Sequence, residues 1–305
     1  MVPGNYRGGE CPVTAHVSPF SVPVSRRPQC SKPLRISDGA LRPCCPTRPA
    51  ETASSQFQSW YHRKWWKSMT EREVEPTTQP NGWEIGPLPH FASLVVKRSG
   101  DPYDNRFEDN ELALLPSRAV IARRDAFRLG RAAAHEALAA IGRDDKPVTI
   151  GDEREPVWPA GVVGSISHAA DVAVALVAPA GETPGIGIDV ESRRYAPELN
   201  QHVPRPEERA WLEEADAEER HDRLLALFSA KEAIFKAFYP RVGRFFGFEA
   251  ASVQPTEGGF VARLAEDLDP AFPPDRSFSV FCGWSGPYVL SWVILPTTGG
   301  VGPDH

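Results

Sequence analysis

Two carboxylates stand one residue apart in GIGIDVES, residues 185–192, a stretch that otherwise reads as a buried strand. Strand side chains alternate, so Asp189 and Glu191 share one face while Ile186, Ile188 and Val190 share the other. Two oxygen donors on one face suit a hard cation such as Mg2+. That ion takes one or two protein carboxylates and completes its shell with water and substrate phosphate. Read alone, the pair fits the solvated face of an edge strand. Gly185 and Gly187 weaken that reading, because glycine in a strand often marks close approach by something else.

Three further stretches carry chemistry-bearing residues. In FSAKEAIFKAF, residues 228–238, Glu232 and Lys236 are four apart and share a helical face. A surface ion pair of that kind is worth about 0.2–0.5 kcal/mol. The functional alternative makes Glu232 a third metal carboxylate, with Lys231 and Lys236 flanking a phosphate that gathers negative charge. In REPVWPAGVVGSISH, residues 154–168, Ser165 invites a nucleophile reading but fails the G-x-S-x-G elbow, and no His/Asp partner for it suggests itself. His168, just ahead of a strand, reads as a structural histidine or as a hydrogen-bond donor to phosphate. The fourth stretch is the basic run Arg118, Arg123, Arg124, Arg128 and Arg131, in which Arg124, Arg128 and Arg131 recur at helical spacing. Guanidinium forks match phosphate geometry, so the run is the best candidate for an anion cradle; the bland reading is a solvated helix face.

The elements that must position these groups follow from periodicity. Residues 117–141 read as a helix with an apolar stripe from Val120 to Leu138, ended by Gly142. Residues 91–96, 171–177 and 185–191 read as strands. A helical region begins at 207–213, and a stronger helix runs over 222–238 until Pro240 stops it. Residues 278–284 and 288–295 pair as a closing hairpin around Ser285, Gly286 and Pro287. A weak echo between the helix at Phe127 and the helix at Phe228 suggests two similar α+β halves.

The bulk numbers narrow the function classes. The chain has 305 residues, 41% hydrophobic and 24% charged, the make-up of a globular protein. No apolar run is long enough to span a bilayer. Residues 1–68 hold ten Lys or Arg against three Asp or Glu, whereas the remainder holds 24 against 37, a net of −13. So acidic a body argues against nucleic-acid binding. Residues 1–68 are rich in Pro, Ser and Arg without hydrophobic period. They are expected to be a disordered tail, or a translated upstream stretch with the true start at Met69. Four of the five cysteines lie in that stretch and fit no zinc spacing; Cys282 is alone in the body, which reads as cytoplasmic and free of disulfides.

Taken in order, RRDAF-x-x-GR, REP-x-WP-x-GVVGSISH, GIDVE and FSAKEAIFKAF resemble the 4'-phosphopantetheinyl transferases of the surfactin-synthetase-activating type, in the branch of enterobactin synthetase component D. The resemblance covers roughly residues 85–295. It implies an α+β fold made of a pseudo-twofold pair of similar halves, 85–182 and 183–296. It also implies transfer of the phosphopantetheine arm of coenzyme A to a serine of an apo acyl or peptidyl carrier protein, with release of 3',5'-ADP, by a monomer. On the matching positions, Asp189, Glu191 and Glu232 would hold Mg2+ against the coenzyme A pyrophosphate, and Lys231 and Lys236 would neutralise it. His168 would meet a phosphate of the nucleotide half. Arg124 and Arg131 match binders of the 3'-phosphate and its neighbours, and Phe245 an aromatic beside the pantetheine arm. Glu208 matches a residue proposed to help deprotonate the acceptor serine, so the catalytic set would be Glu232, Lys236 and Glu208. Where several relatives carry a lysine two residues before the E-P pair, this chain has Glu153, and Arg154 is the candidate replacement.

Two other classes remain open at this point: a catalytically silent module that binds coenzyme A or a carrier, and a Mg2+-dependent phosphohydrolase. Deleting residues 1–68 is expected to leave activity nearly unchanged in a carrier-loading assay. A truncation that folds but is inactive would show that the tail matters.

Overall fold

The computed structural model describes residues 83, 85–144, 146–194 and 196–297. The disordered tail expected over 1–68 lies outside these. In chain order the described residues form strand β1 (Ser93–Arg98), helices α1 (Glu108–Leu112) and α2 (Ile121–Ala140), and strands β2 (Thr149–Ile150), β3 (Pro156–Val157), β4 (Val162–Ala169), β5 (Val172–Pro179) and β6 (Ile186–Ser192). Helices α3 (Leu199–His202), α4 (Pro206–Glu213) and α5 (Ala217–Val242) follow, then strands β7 (Ala251–Thr256), β8 (Gly259–Leu264), β9 (Ser277–Ser285) and β10 (Tyr288–Ile294). The fold is α+β. One sheet has the order β1-β5-β4, the other β6-β10-β9-β8-β7, and β2 and β3 form a short pair; every pairing is antiparallel. No helix among the described residues is long and apolar enough to cross a membrane.

The sheets draw on separate stretches of chain and face each other. Val172, Val174 and Leu176 of β5 pack with Leu94 and Val96 of β1 against Ile186, Ile188 and Val190 of β6 and Leu290 and Trp292 of β10. The other face of β5, Ala175 and Val177, packs under Ala133, Ala134, Ala137 and Leu138 of α2. Strand β5 is therefore buried on both faces, which its near-continuous apolar run VAVALVA requires. The second sheet's outer face, with Val280, Val289 and Val293, packs under Leu227, Ala230, Ala233, Ile234 and Ala237 of α5. The order of layers is thus α2, first sheet, second sheet, α5, and each sheet is closed by one long helix.

Helix α5 sits unusually close to β6. A Cβ on Gly187 would lie 1.9 Å from the Ala233 carbonyl oxygen and 2.8 Å from the Ala237 nitrogen; one on Gly185 would lie 2.5 Å from the Ala237 carbonyl oxygen. The close approach marked by these glycines is therefore that of the helix backbone. The residues that line it, Ala233 and Ala237, are themselves small. Asp216 starts the helix, its carboxylate accepting from the Glu218 and Glu219 N–H groups at 3.0 Å each.

The helix does not stop at Pro240, as the sequence suggests, but runs on to Val242. A proline in the last turn withholds only its own N–H, so one carbonyl loses its helical donor. The end comes at Gly243, whose φ of 65° is the left-handed cap that glycine adopts without steric cost. At the other long helix, α2, the expected start at 117 is four residues early. There the Pro116 carbonyl accepts from the Ala119 N–H at 2.8 Å, turning the chain before the helix begins. The closing hairpin appears as expected, and a second hairpin, β7–β8, follows α5 and joins the same sheet.

Gly187→Ala is expected to cost about 3 kcal/mol or more, because the obstacle is main chain that cannot give way. Gly181→Ala, where a Cβ meets nothing within 4 Å, should change stability by less than about 0.5 kcal/mol. Urea midpoints for the two variants check the contrast, and equal midpoints would refute the backbone-contact reading.

Candidate functional site

The site is built on the free edge of β6. One edge of this strand pairs with β10. Along the other, Ile188 offers an N–H and a carbonyl that no strand takes up. The N–H donates to Ser165 Oγ at 3.1 Å, and the carbonyl accepts from Lys236 Nζ at 3.1 Å. Alternation along β4 puts Ser165 and Ser167 on the same face, and Ser167 Oγ donates to Asp189 Oδ1 at 2.8 Å. Lys236 also donates to Asp189 Oδ1 at 2.7 Å and to Ser167 Oγ at 3.0 Å. Two remote strands and one helix thus converge on a single carboxylate oxygen.

The other oxygen of that carboxylate, Oδ2, is buried without a hydrogen bond, and so is Glu232 Oε1. Unpartnered buried acceptors are costly and call for an explanation. Both belong to an acidic cluster. Burial first, and then the Asp189 charge, push the Glu191 carboxyl up to about 7, against the opposing pull of Arg194 and Lys236. Burial, Asp189 and Glu191 push Glu232 up to about 8, while Lys236 pulls it down. The three carboxylates therefore lie within one another's fields, with one ammonium among them and the Arg194 guanidinium 3.7 Å from Glu191 at the rim. Hard oxygen donors in electrostatic excess, two with vacant lone pairs, fit a divalent cation such as Mg2+ by their chemistry. Among the described residues, however, no three His, Cys, Asp or Glu side chains already close on one point. The donors are gathered but not preassembled.

The remaining expected residues are placed as follows. Lys231 is fully buried, and its ammonium donates to Glu208 Oε2 at 2.7 Å, to the Val203 carbonyl at 3.0 Å and to the Phe248 carbonyl at 3.1 Å. Those three bonds engage every donor it has. Burial lowers its pKa, partly offset by Glu208. Glu208 also caps α4, accepting from the Arg205 N–H at 2.7 Å, and accepts from the Val253 N–H at 3.0 Å. The pair thus sits on the flank of α5 that holds α4 and β7, away from the Lys236 contacts. The arginine run does not form one cationic face. Arg128 is paired with Glu108 and Asp125. Arg131 is turned inward, with its guanidinium carbon 4.5 Å from the Phe127 ring centre, and burial lowers its pKa to about 10. Arg124 is half-buried, and its guanidinium has no hydrogen bond or ion pair among the described residues. Arg154 is exposed at the tip of a turn with φ 69°. His168 is exposed at the end of β4, on the face opposite Ser167. Phe245 is 59% exposed and leans on Phe235, with ring centres 5.8 Å apart.

Two features escaped the sequence. From the sequence, Ser165 is weighed only as a nucleophile and Ser167 is left out; their i, i+2 spacing ahead of a histidine is the signal that places two hydroxyls on one strand face. The buried His135 lies 2.6 Å from Asp144 and 2.8 Å from Glu111. Burial opposes its charge, but those two hydrogen bonds outweigh burial and raise its pKa. Nothing local in the sequence marks that trio.

Comparison with known proteins gives a consistent result. The 4'-phosphopantetheinyl transferase N-terminal domain family matches residues 109–178, and the 4'-phosphopantetheinyl transferase superfamily matches residues 185–290. The chain is 39% identical over 140 residues to the 4'-phosphopantetheinyl transferase Npt of Nocardia iowensis, covering 46% of this chain and 62% of that one. It is 36% identical over 165 residues to the 4'-phosphopantetheinyl transferase PptT of Mycobacterium tuberculosis, covering 52% and 72%. To enterobactin synthase component D of Salmonella typhi it is 37% identical over 155 residues, covering 48% and 63%. The chain thus spans less than two thirds of the length of the first and third of these relatives.

The raised carboxyls have a consequence for stability. In the folded protein Glu191 and Glu232 keep their protons to about pH 7 and about pH 8, whereas the unfolded chain releases them near an ordinary value of 4.5. Their contribution is complete below the unfolded value and is lost as pH rises through the folded ones. The melting temperature of cation-free protein should therefore fall from about pH 5 to about pH 8, less steeply in Glu232→Gln. Added Mg2+ should restore more at the higher pH. Thermal melts that run parallel in the two proteins would overturn the assignment.

Proposed function

The chain belongs to the 4'-phosphopantetheinyl transferase superfamily, and from that premise we propose that it moves the phosphopantetheine arm of coenzyme A onto a serine of an apo carrier protein, releasing 3',5'-ADP. In this reading the serine oxygen forms a bond to the phosphorus that carries the arm, and the bond from that phosphorus to the leaving 3',5'-ADP oxygen breaks. The observation that carries the reading is the cluster of Asp189, Glu191 and Glu232, held together although one ammonium cannot balance it. A module that only binds has no use for such repulsion.

Asp189, Glu191 and Glu232 would hold Mg2+, which when bound supplies positive charge to the pyrophosphate and the departing nucleotide. Lys236 adds a second positive charge beside Asp189 and opposes the charge that builds on the transferring phosphoryl group. Glu232 is assigned as acceptor of the serine proton. One of its oxygens is buried without a partner and is the group offered to that proton. Glu208 and Lys231, both expected to act directly, are instead assigned to holding α5 in place, because their hydrogen-bonding groups are engaged with each other and with backbone. His168 and Arg154 are assigned to the nucleotide phosphates on the strength of their exposure, and Arg124 on that of a side chain unpaired among the described residues; Arg131 lies too deep to reach them without moving. Phe245 offers an apolar surface to the pantetheine arm. By likeness to the relatives named enterobactin synthase component D, the carrier is assigned to siderophore or other nonribosomal peptide synthesis, in the cytoplasm.

Incubating the protein with coenzyme A, Mg2+ and an apo carrier should add the mass of one phosphopantetheine to the carrier, read by mass spectrometry. Asp189→Ala and Glu232→Ala should reduce that transfer by at least about 100-fold while leaving the fold intact, as expected when a group that holds or positions the reacting charge is lost. Breakdown of coenzyme A without carrier would replace the transferase reading by a phosphohydrolase. Neither product would leave a silent binding module.

A further inference from the structure

We propose that Ser167 is a positioning residue that fixes which oxygen of Asp189 is free to meet a divalent cation. The inference rests on the transferase reading above but concerns a residue outside the acidic cluster, contributed by the other sheet. Ser167 is 7% exposed, and its hydroxyl makes two bonds at once, donating to Asp189 Oδ1 and accepting from Lys236 Nζ. The three donors of Lys236 are thereby all assigned: Ser167 Oγ, the Ile188 carbonyl and Asp189 Oδ1. Asp189 Oδ1 receives two donors, while Oδ2, which is buried, receives none. That asymmetry is what a cation site requires, since a lone pair already holding a proton donor is not offered to a metal.

Removal of the hydroxyl changes the competition. The terminal torsion of an aspartate is broad, so the carboxylate turns easily once one anchor is lost. Lys236 then has a donor without an acceptor, and the orphaned Asp189 Oδ2 is the acceptor in reach. An ammonium bridging both carboxylate oxygens satisfies the buried groups and shuts out the cation. The hydroxyl prevents this by occupying one Lys236 donor and tying Oδ1 to β4. Ser165, two residues earlier on the same face, makes a different bond, accepting the Ile188 N–H. Its hydroxyl supports the strand edge but touches neither Asp189 nor Lys236, and it serves as the internal control.

The test is a Mg2+ titration of the full chain, read as the shift of melting temperature and as heat in a calorimeter, without carrier protein. Ser167→Ala should raise the half-saturating Mg2+ concentration roughly tenfold, the lower end of the effect of removing a group that orients a metal ligand. Ser167→Cys keeps nearly the same volume with a weak donor and should do the same; it stands in if the alanine variant fails to fold. Ser165→Ala should lower the melting temperature without moving the half-saturating concentration. Unchanged Mg2+ response in folded Ser167→Ala or Ser167→Cys overturns the inference. So does an equal shift in Ser165→Ala, which would reveal a merely structural role. A wild type with no Mg2+ response overturns it as well. A wild type that binds Mg2+ normally, loses that binding on Ser167 substitution and loads no carrier sinks the transferase reading and leaves the positioning role standing.

Discussion

Where Gly187 faces Ala233 and Ala237, no side chain separates α5 from β6, and carboxylates from two remote segments fall under one field. A helix seated on a sheet at ordinary distance would hold Glu232 further from Asp189. The backbone contact therefore does two things that are hard to achieve together. It buries Asp189 and Glu232 and leaves Glu191 only partly exposed, and it supplies Lys236 from the same helix face to keep the burial tolerable. The i, i+4 spacing of Glu232 and Lys236 in an isolated helix is worth about 0.2–0.5 kcal/mol. Here the displacement of two carboxyl groups to about 7 and about 8 shows that burial and mutual repulsion outweigh that pairing.

Helix α5 is held in this position by an ion pair on each flank, of different character. Lys231 and Glu208 are both almost fully buried and have every hydrogen-bonding group engaged, so the pair is costly to break even though a hydrophobic substitute for the whole pair would not be. Lys236 is about a quarter exposed and its partner Asp189 retains a free oxygen. The first pair is closed and can only hold; the second is open and can respond to a ligand. Two adjacent members of one sequence motif, Lys231 and Glu232, thereby acquire opposite tasks because successive helix positions point about 100° apart.

That division of labour was not legible in the sequence, and the reason is physical. Period-2 alternation in GIGIDVES reports which side chains share a face, so the strand, its acidic face and the need for a close neighbour could all be read from it. The spacing of Glu232 and Lys236 likewise placed both on one side of a helix. Spacing along one element carries no information about what lies across from it. Lys231 looked like a phosphate ligand until Glu208 and two carbonyls were seen around it. The arginine run looked like one cationic face until Arg128 met Glu108 and Arg131 turned toward Phe127. Ser167 was invisible for the converse reason: a serine in a strand is unremarkable until its partners, 22 and 69 residues away, are known. Pro240 misled as a stop signal because a proline near a helix end forfeits too little to terminate it.

The unpaired edge of β6 explains why the site lies where it does. A regular ladder between β4 and β6 would satisfy the Ile188 N–H and carbonyl with backbone groups and merge the two sheets into one. Lys236 would then lose its carbonyl acceptor. Closing the edge with a serine hydroxyl and an ammonium instead leaves the sheets joined by apolar packing on one side and by single, breakable bonds on the other. A lysine at such an edge also deters the pairing of a foreign strand. The same choice makes the acidic centre depend on residues from both sheets, so any ligand that strengthens Asp189 and Lys236 in their present places also strengthens the contact between β4 and β6.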